Sequence, residues 1–421
     1  MTSALATWAG HRFPNRKTSP DARWPLRLLT FTTLFPNREQ PNHGIFVENR
    51  LRHLVAGGEV ASTVVAPVPY FPSQAGCFGA WSGYARVARC ERRHGISIHH
   101  PRFPVVPRVG MTVSPALLAV ATLAAVRRLQ QAGSGFDIID AHYFYPDGVA
   151  ALWLGQRLGC PVVITARGSD ISLIPRFAVP RAMIRWAIRG AAGLIAVSAA
   201  VKQALVELGA SPDDVVVLRN GVDLSSFRPV DRQAARRSLG LARPTLLSVG
   251  HLIERKGHDR VIAAMPDLPE FELLIVGEGP ERARLERLRQ RLGVADRVRL
   301  LGSQPHDQLP AIYSAADALV LASSREGWAN VLLEAMACGT PTVASNIWGN
   351  PEVVGAAEAG ILMDENTPQG IVRAVRRLFA NLPPRAATRS YAERFSWDAT
   401  TCGQLGLFRR VLAQRVGVAH D

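Results

Sequence analysis

Short runs of β-branched and other apolar residues alternate with helix-period segments along almost the whole chain, and this alternation limits the folds open to it. In the first half the runs are Leu26 to Leu34, Thr63 to Ala66, Ile96 to His99, Ile138 to His142, Val162 to Thr165 and Leu194 to Val197. In the second they are Leu246 to Val249, Leu273 to Val276, Val298 to Leu301, Leu319 to Leu321 and Thr342 to Ala344. Strands joined in this way by helices predict an α/β chain with parallel, doubly wound sheets. A turn signal at Asn220-Gly221-Val222-Asp223, followed by the polar stretch Phe227 to Arg236, divides the two sets. A chain of 421 residues with 48% apolar content is longer than one core normally serves. The expected organisation is a flexible extension at 1–25, a first domain at 26–218, a second at 219–390 and a helix at 391–421 that returns to the first domain. Sheets of this kind bind ligands at the carboxyl ends of their strands, so two facing domains enclose an interdomain cleft.

Several classes are disfavoured. No stretch reaches the roughly eighteen uninterrupted apolar residues of a membrane span. The best candidate, Leu117 to Val126, runs into Arg127 and Arg128 and reads as a buried amphipathic helix. The first twenty-five residues, with Trp8, Pro14, Arg16, Lys17 and Asp21, lack the pattern of a secretory signal. Cys77, Cys90, Cys160, Cys338 and Cys402 are odd in number and form no CxxC pair, which argues against a disulfide framework and against zinc, and fits a reducing cytosol. The net charge of +15 is almost all arginine, since only Lys17, Lys202 and Lys256 are lysines. Such a balance favours anionic partners, whether nucleotides, phospholipid headgroups or nucleic acid, and it also fits a plain compositional bias.

The densest chemistry lies in Glu326-Gly327-Trp328-Ala329-Asn330-Val331-Leu332-Leu333-Glu334, followed by Ala335 to Pro341. The strand ending at Ala322 leads into a loop, and a helix is expected from near Gly327 to the Gly339 stop. Glu326 is then placed to hold sugar hydroxyls and Glu334 a ribose diol, while the amides of Gly327, Trp328, Ala329 and Asn330 offer donors to an anion. The same spacing also describes a helix with a charge at each end. Lys256, between a strand and a helix, suits a diphosphate as a point charge or stands as a solvated loop lysine. His142 ends a strand and faces the cleft, as a site residue or as a structural hydrogen-bonding one. Arg167 reads either as meeting an anionic acceptor or as an ion-pair partner of Asp170.

These residues together resemble the E-x7-E signature of the retaining glycosyltransferases, specifically glycosyltransferase family 4. Asn220 to Asp223 with Phe227, Ser248 to Leu252 leading to Lys256-Gly257-His258, Ile275 to Pro280, Leu309 to Asp317 and Gly349 to Glu352 extend the likeness over most of 217–375. In the first domain it reaches Phe35-Pro36 to Gly44, Asp140-Ala141-His142 and Thr165 to Asp170. The resemblance implies the GT-B fold, two facing Rossmann-like domains, and transfer from a nucleotide-diphosphate sugar (UDP or GDP) with retention and without a metal or other cofactor. It implies His142, Lys256 and Glu326 as catalytic. Gly44, Arg167, Asp170, His251, Arg255, Gly327, Trp328, Ala329, Asn330 and Glu334 are implied as substrate-binding. His251 stands where the family places a second diphosphate-binding cation, so Arg255 or a protonated His251 is expected to take that part. The acceptor implied is a glycan or a lipid-linked molecule of cell-surface polysaccharide assembly, met in the cytoplasm; the excess positive charge and the arginine-bearing helix around Met183 to Arg189 add docking at an anionic inner membrane face as an expectation.

Rival functions leave marks that can be compared. Gly277-Glu278-Gly279-Pro280-Glu281-Arg282 imitates half a dinucleotide fingerprint, but Arg282 replaces its third glycine. A non-hydrolysing sugar-nucleotide epimerase shares the two-domain plan without the Glu326/Glu334 arrangement. A non-catalytic nucleic-acid-binding protein would explain the arginines, yet these are spread over many helices with no aromatic platform, so no specific nucleic acid is expected.

Overall fold

The computed structural model describes residues 25–106 and 110–418. The extension read at 1–25 therefore lies, up to residue 24, outside the described residues, as does 419–421 of the C-terminal segment. The first domain contains β1 (Leu26–Phe31), β2 (Val60–Val65), β3 (Val68–Pro69), β4 (Cys90–Arg93), β5 (Ile96–His99), β6 (Arg102–Phe103), β7 (Ile138–His142), β8 (Val162–Ala166), β9 (Gly193–Ala196) and β10 (Val215–Val217). Eight of these form one sheet in the order β10-β9-β8-β7-β1-β2-β5-β4, while β3 and β6 pair separately. The second domain contains β11 (Thr245–Val249), β12 (Glu272–Val276), β13 (Val298–Gly302), β14 (Ala318–Leu321), β15 (Thr342–Ser345) and β16 (Gly360–Met363), ordered β13-β12-β11-β14-β15-β16. Every pairing is parallel except β4 with β5.

Parallel strands covered by helices on both faces are mostly apolar, and β7, β8, β11 and β12 are buried at every position, with Asp140, His142 and Glu272 as buried charged or titratable exceptions. That property makes them legible as uninterrupted runs. The strands without such runs are edge or very short ones. β4 is Cys-Glu-Arg-Arg at an antiparallel edge, β10 has three residues, and β16 opens on Gly360. Helix starts follow side-chain capping: Ser198 accepts from the Val201 amide, Asp231 from Ala234 and Thr367 from Gly370.

Two elements differ from expectation. The apolar segment around Leu117 to Val126 lies inside a 22-residue helix, Gly110–Gln131, which by length and composition alone is apolar enough to cross a membrane. Leu118, Ala119, Thr122 and Val126 are buried, but Val120 is 75% and Met111 43% exposed, so the helix is covered on one side only. The second is the helix expected to begin near Gly327. It spans Asn330–Ala337, because Gly327, Trp328 and Ala329 run as a loop and Ala329 takes non-helical φ and ψ of −90° and 89°.

Beyond the second domain's own helix Arg385–Ala392, the chain crosses back. The helix Trp397–Val418 inserts Leu405, Leu407, Phe408 and Val411 among Leu28, Leu51, Val163 and Ile195 of the first domain. Fully burying an apolar side chain of this size contributes about 1.5–3 kcal/mol, so this helix supplies a substantial part of the first domain's core.

Candidate active site

The carboxyl ends of β7 and β8 carry the first-domain half of the site. β7 delivers Asp140 and His142, both essentially without solvent exposure. His142 Nε2 lies 3.2 Å from Asp140 Oδ2, and Arg167 donates from Nη2 to His142 Nδ1 at 2.7 Å. A guanidinium only donates, so Nδ1 must carry the lone pair and Nε2 the proton. Burial pushes the imidazole pKa down, the Arg167 charge adds to this, and Asp140 opposes it. The ring is therefore neutral near pH 7. Arg167 itself is lowered to about 9 by burial and stays charged; its ring-facing contacts are completed by Phe46, whose centroid lies 5.2 Å from the guanidinium carbon.

Asp170 departs from its expected role. Its carboxylate accepts the backbone amides of Phe144, Arg167 and Gly168 at 2.7 to 3.1 Å, and no ion pair with the Arg167 side chain forms. Asp170 shapes the turn that carries Arg167 rather than facing a substrate. Gly44 opens the helix Ile45–Ala56 at φ 71°, and a Cβ there would stand 2.3 Å from the Leu34 carbonyl carbon. Its close approach is thus to the chain's own loop. That loop is also held from below by the buried Asp147, which accepts from the Thr33 amide at 2.7 Å and from the hydroxyls of Thr32 and Thr33. Burial raises Asp147 to about 7.

In the second domain the loop after β14 bends back on itself. Ser323 donates to Glu326 Oε1 at 2.7 Å, and Asn366 donates to the carbonyls of Ala322 and Ser323 at 3.1 Å each. Lys256 donates to Glu326 Oε1 at 2.6 Å, and Arg255 Nη1 lies 3.7 Å from Oε2. Burial alone would raise the Glu326 pKa, but Lys256 and Arg255 hold it below the usual carboxylate range. Lys256 is therefore not a solvated loop lysine: its side chain is 15% exposed. Arg255 joins the same cluster, whereas His251 is exposed on the neighbouring loop. Of the two alternatives for the second cation, the structure brings Arg255 beside Lys256.

Because the helix starts at Asn330 rather than near Gly327, Glu334 lies about 6 Å along it from its first residue. It accepts from Tyr313 at 2.8 Å, and burial raises its pKa against that hydrogen bond. Trp328 is also corrected. Its side chain is 7% exposed and packs against Phe395 at 6.0 Å and Arg219 at 5.9 Å, so only its backbone can face a ligand. Ala329 is 3% exposed and likewise contributes only backbone.

The two halves touch. A Cβ on Gly327 would lie 1.9 Å from the Arg167 carbonyl oxygen, and one on Gly168 would lie 2.7 Å from Gly327 Cα. Arg167 also donates to Asn220 at 3.1 Å, which donates to Asn330 at 3.2 Å. Glu352 of the second domain accepts the Ala199 amide at 2.7 Å, at the start of a first-domain helix, and pairs with Arg219 at 2.6 Å. Asp147 was not named from sequence, and Asp140, Tyr313 and Glu352 were named only within longer family-like runs, with no role of their own. Asp140 offered a further signal, a carboxylate two residues before His142 on the same face of a strand.

Chemically, the site sets a neutral imidazole and a half-buried guanidinium from one domain against two cations, two carboxylates and free loop amides from the other. Comparison with known proteins agrees with this composition. The family model described as Glycosyltransferase Family 4 matches residues 51–226, and that of Glycosyl transferases group 1 matches 231–395. D-inositol 3-phosphate glycosyltransferase of Segniliparus rotundus is 35% identical across 66% of this chain, which spans 66% of that relative's length. The protein of the same name from Acidothermus cellulolyticus is 34% identical across 72% of this chain and 73% of its own. Sucrose-phosphate synthase from Thermosynechococcus elongatus shares the fold at a TM-score of 0.74 and 23% identity, over 92% of this chain and 99% of that one. Anabaena HepE in complex with UDP and glucose shares it at 0.69 and 20%, over 91% and 100%.

Proposed function

The chain belongs to glycosyltransferase family 4 and is a glycosyltransferase of the GT-B fold, and on that premise we propose that it transfers a sugar from a UDP- or GDP-sugar with retention at the anomeric carbon and without a metal. The observation that carries this reading is the cluster of Lys256, Arg255, Glu326 and Glu334 at the carboxyl edge of the second sheet, against which Arg167 and Gly168 of the first domain close. Lys256 and Arg255 stabilise charge on the departing diphosphate, Glu334 accepts the ribose hydroxyls, and Glu326 meets hydroxyls of the sugar once the diphosphate draws Lys256 from it. His142 meets the sugar from the opposite wall. Binding of HepE to UDP and glucose supports the choice of donor class.

Calorimetric titration with UDP- and GDP-sugars in the presence of EDTA tests the reading. Micromolar binding to the intact protein is expected, and about tenfold or greater weakening in Glu334→Ala, since a buried hydrogen-bonding site left unpaired is costly. No binding of any donor to the folded protein, or binding that EDTA abolishes, would refute it.

For the acceptor, the half-buried Arg167 guanidinium favours a molecule with an anionic group, as the name of the D-inositol 3-phosphate relatives also supports. We further propose that the protein works in the cytoplasm at an anionic membrane face, in assembly of a cell-surface glycan or glycolipid. Trp153, Ala178, Val179, Ala182, Met183 and Trp186 line an apolar groove of about 580 Å³. Beside it stand exposed Phe177 and the exposed Arg176, Arg181, Arg185 and Arg189, none of which has a side-chain partner among the described residues. Each arginine near an anionic surface contributes about 1 kcal/mol. Flotation with phosphatidylglycerol vesicles at physiological salt is the expected result, reduced in R181E/R185E; a protein that stays in the soluble fraction would exclude membrane docking.

A further inference from the structure

A line of buried hydrogen bonds leads from the C-terminal helix to His142. Arg50, 1% exposed, donates from Nε to Gln404 Oε1 at 2.8 Å and from Nη1 to the Leu218 carbonyl at 3.1 Å. Gln404, also 1% exposed, donates from Nε2 to Asp140 Oδ2 at 2.9 Å, the oxygen that His142 Nε2 approaches. Directions along this line are not free. Arginine only donates, so the Gln404 oxygen must face Arg50 and its amide nitrogen must face Asp140. An ionised carboxylate only accepts, so His142 must offer Nε2–H to it. At the other end Arg167 requires an acceptor at Nδ1. The two arginines therefore dictate one tautomer and one ring orientation from opposite sides. Among the described residues Asp140 Oδ1 and Arg50 Nη2 have no hydrogen-bond partner, and Gln404 joins the Arg50 end to the carboxylate.

We propose that Gln404 and Arg50 are positioning residues for His142: through Asp140 they fix the imidazole as its Nε2–H form with the Nδ1 lone pair toward Arg167. A site residue of the first domain is thereby set by a helix that follows the second. The proposal rests on the reading of His142 as a group that meets the donor.

The test uses the full chain labelled with 15N-histidine, with His142 assigned by the signal lost in His142→Gln. The intact protein is expected to show a protonated Nε2 and an unprotonated Nδ1 for this ring at pH 7 and above. In Gln404→Leu the two nitrogens should move toward averaged shifts of mixed tautomers, with Arg50→Met acting in the same direction and serving if Gln404→Leu folds poorly. Nucleotide release from the UDP- and GDP-sugar panel should fall about tenfold in kcat with KM within about twofold, and Gln404→Leu should add no further loss in a His142→Gln background. A wild-type ring signature in folded Gln404→Leu overturns the proposal even if turnover falls, because the helix would then act only through stability. Wild-type turnover in His142→Gln defeats the reading of His142 itself, and the proposal with it, whatever the ring signature shows.

Discussion

A Gly327→Val variant is expected to keep both domains folded and to lose transfer by about 100-fold or more, because reacting groups held even 1 Å out of place lose rate on that scale. Gly327 is not among the glycines at positive φ, so valine imposes no left-handed strain on the backbone. What it meets is the opposite domain. Its Cβ would fall 1.9 Å from the Arg167 carbonyl oxygen and 2.8 Å from Gly168 Cα, and neither atom belongs to a side chain that can swing aside. The cleft then stays open, water is not excluded, and the Arg167–Gly168 turn no longer closes on Gly327. Small-angle scattering should show a larger radius of gyration than the intact protein and no compaction with UDP. Unimpaired transfer would show that closure onto Gly168 plays no part in turnover.

Lys256→Met is expected to lower kcat on the order of 10²- to 10³-fold, the usual effect of removing one preorganised charge from a departing group. It also strips Glu326 of its nearest cation, leaving Arg255 at 3.7 Å, and breaking a buried pair of this kind costs about 3 kcal/mol of stability. The two effects separate in the double variant K256M/E326Q. Neutralising the carboxylate should restore the denaturation midpoint while kcat remains low. Recovery of both together would mean that the lysine only holds the Ser323–Glu326 loop. Unchanged kcat in K256M alone would remove Lys256 from the chemistry.

The sequence disclosed strands in proportion to their burial. β7, β8, β11 and β12 carry apolar side chains on both faces and read as runs, whereas the charged edge strand β4 has no reason to. The end of the helix near Gly339 was legible from its stop signal. Its start was not, because Gly327 and Trp328 are shaped by contact with Arg167, Gly168 and Arg219 of distant segments. The same limit applies to the site. Lys256 and Glu326 stand at strand ends, where position alone points to a cleft. That Lys256 closes on Glu326, that Glu352 reaches Ala199, and that Gln404 reaches Asp140 are pairings across 70, 153 and 264 positions. No local pattern encodes them. Asp170 shows the converse: it looked like a partner for the Arg167 charge, but three free amides lie closer, and a carboxylate surrounded by amides is a turn former.

The return of the helix Trp397–Val418 gives the molecule an order of assembly that differs from its order of synthesis. The second sheet has all its strands and covering helices by about residue 392, so it can be complete while the ribosome is still at work. The first domain emerges earlier yet waits for Leu405, Leu407, Phe408 and Val411 to fill its core and for Gln404 to reach Asp140. A nascent chain stopped before this helix would carry a finished second domain tethered to an unfinished first one, and His142 would acquire its setting only as the helix Trp397–Val418 docks.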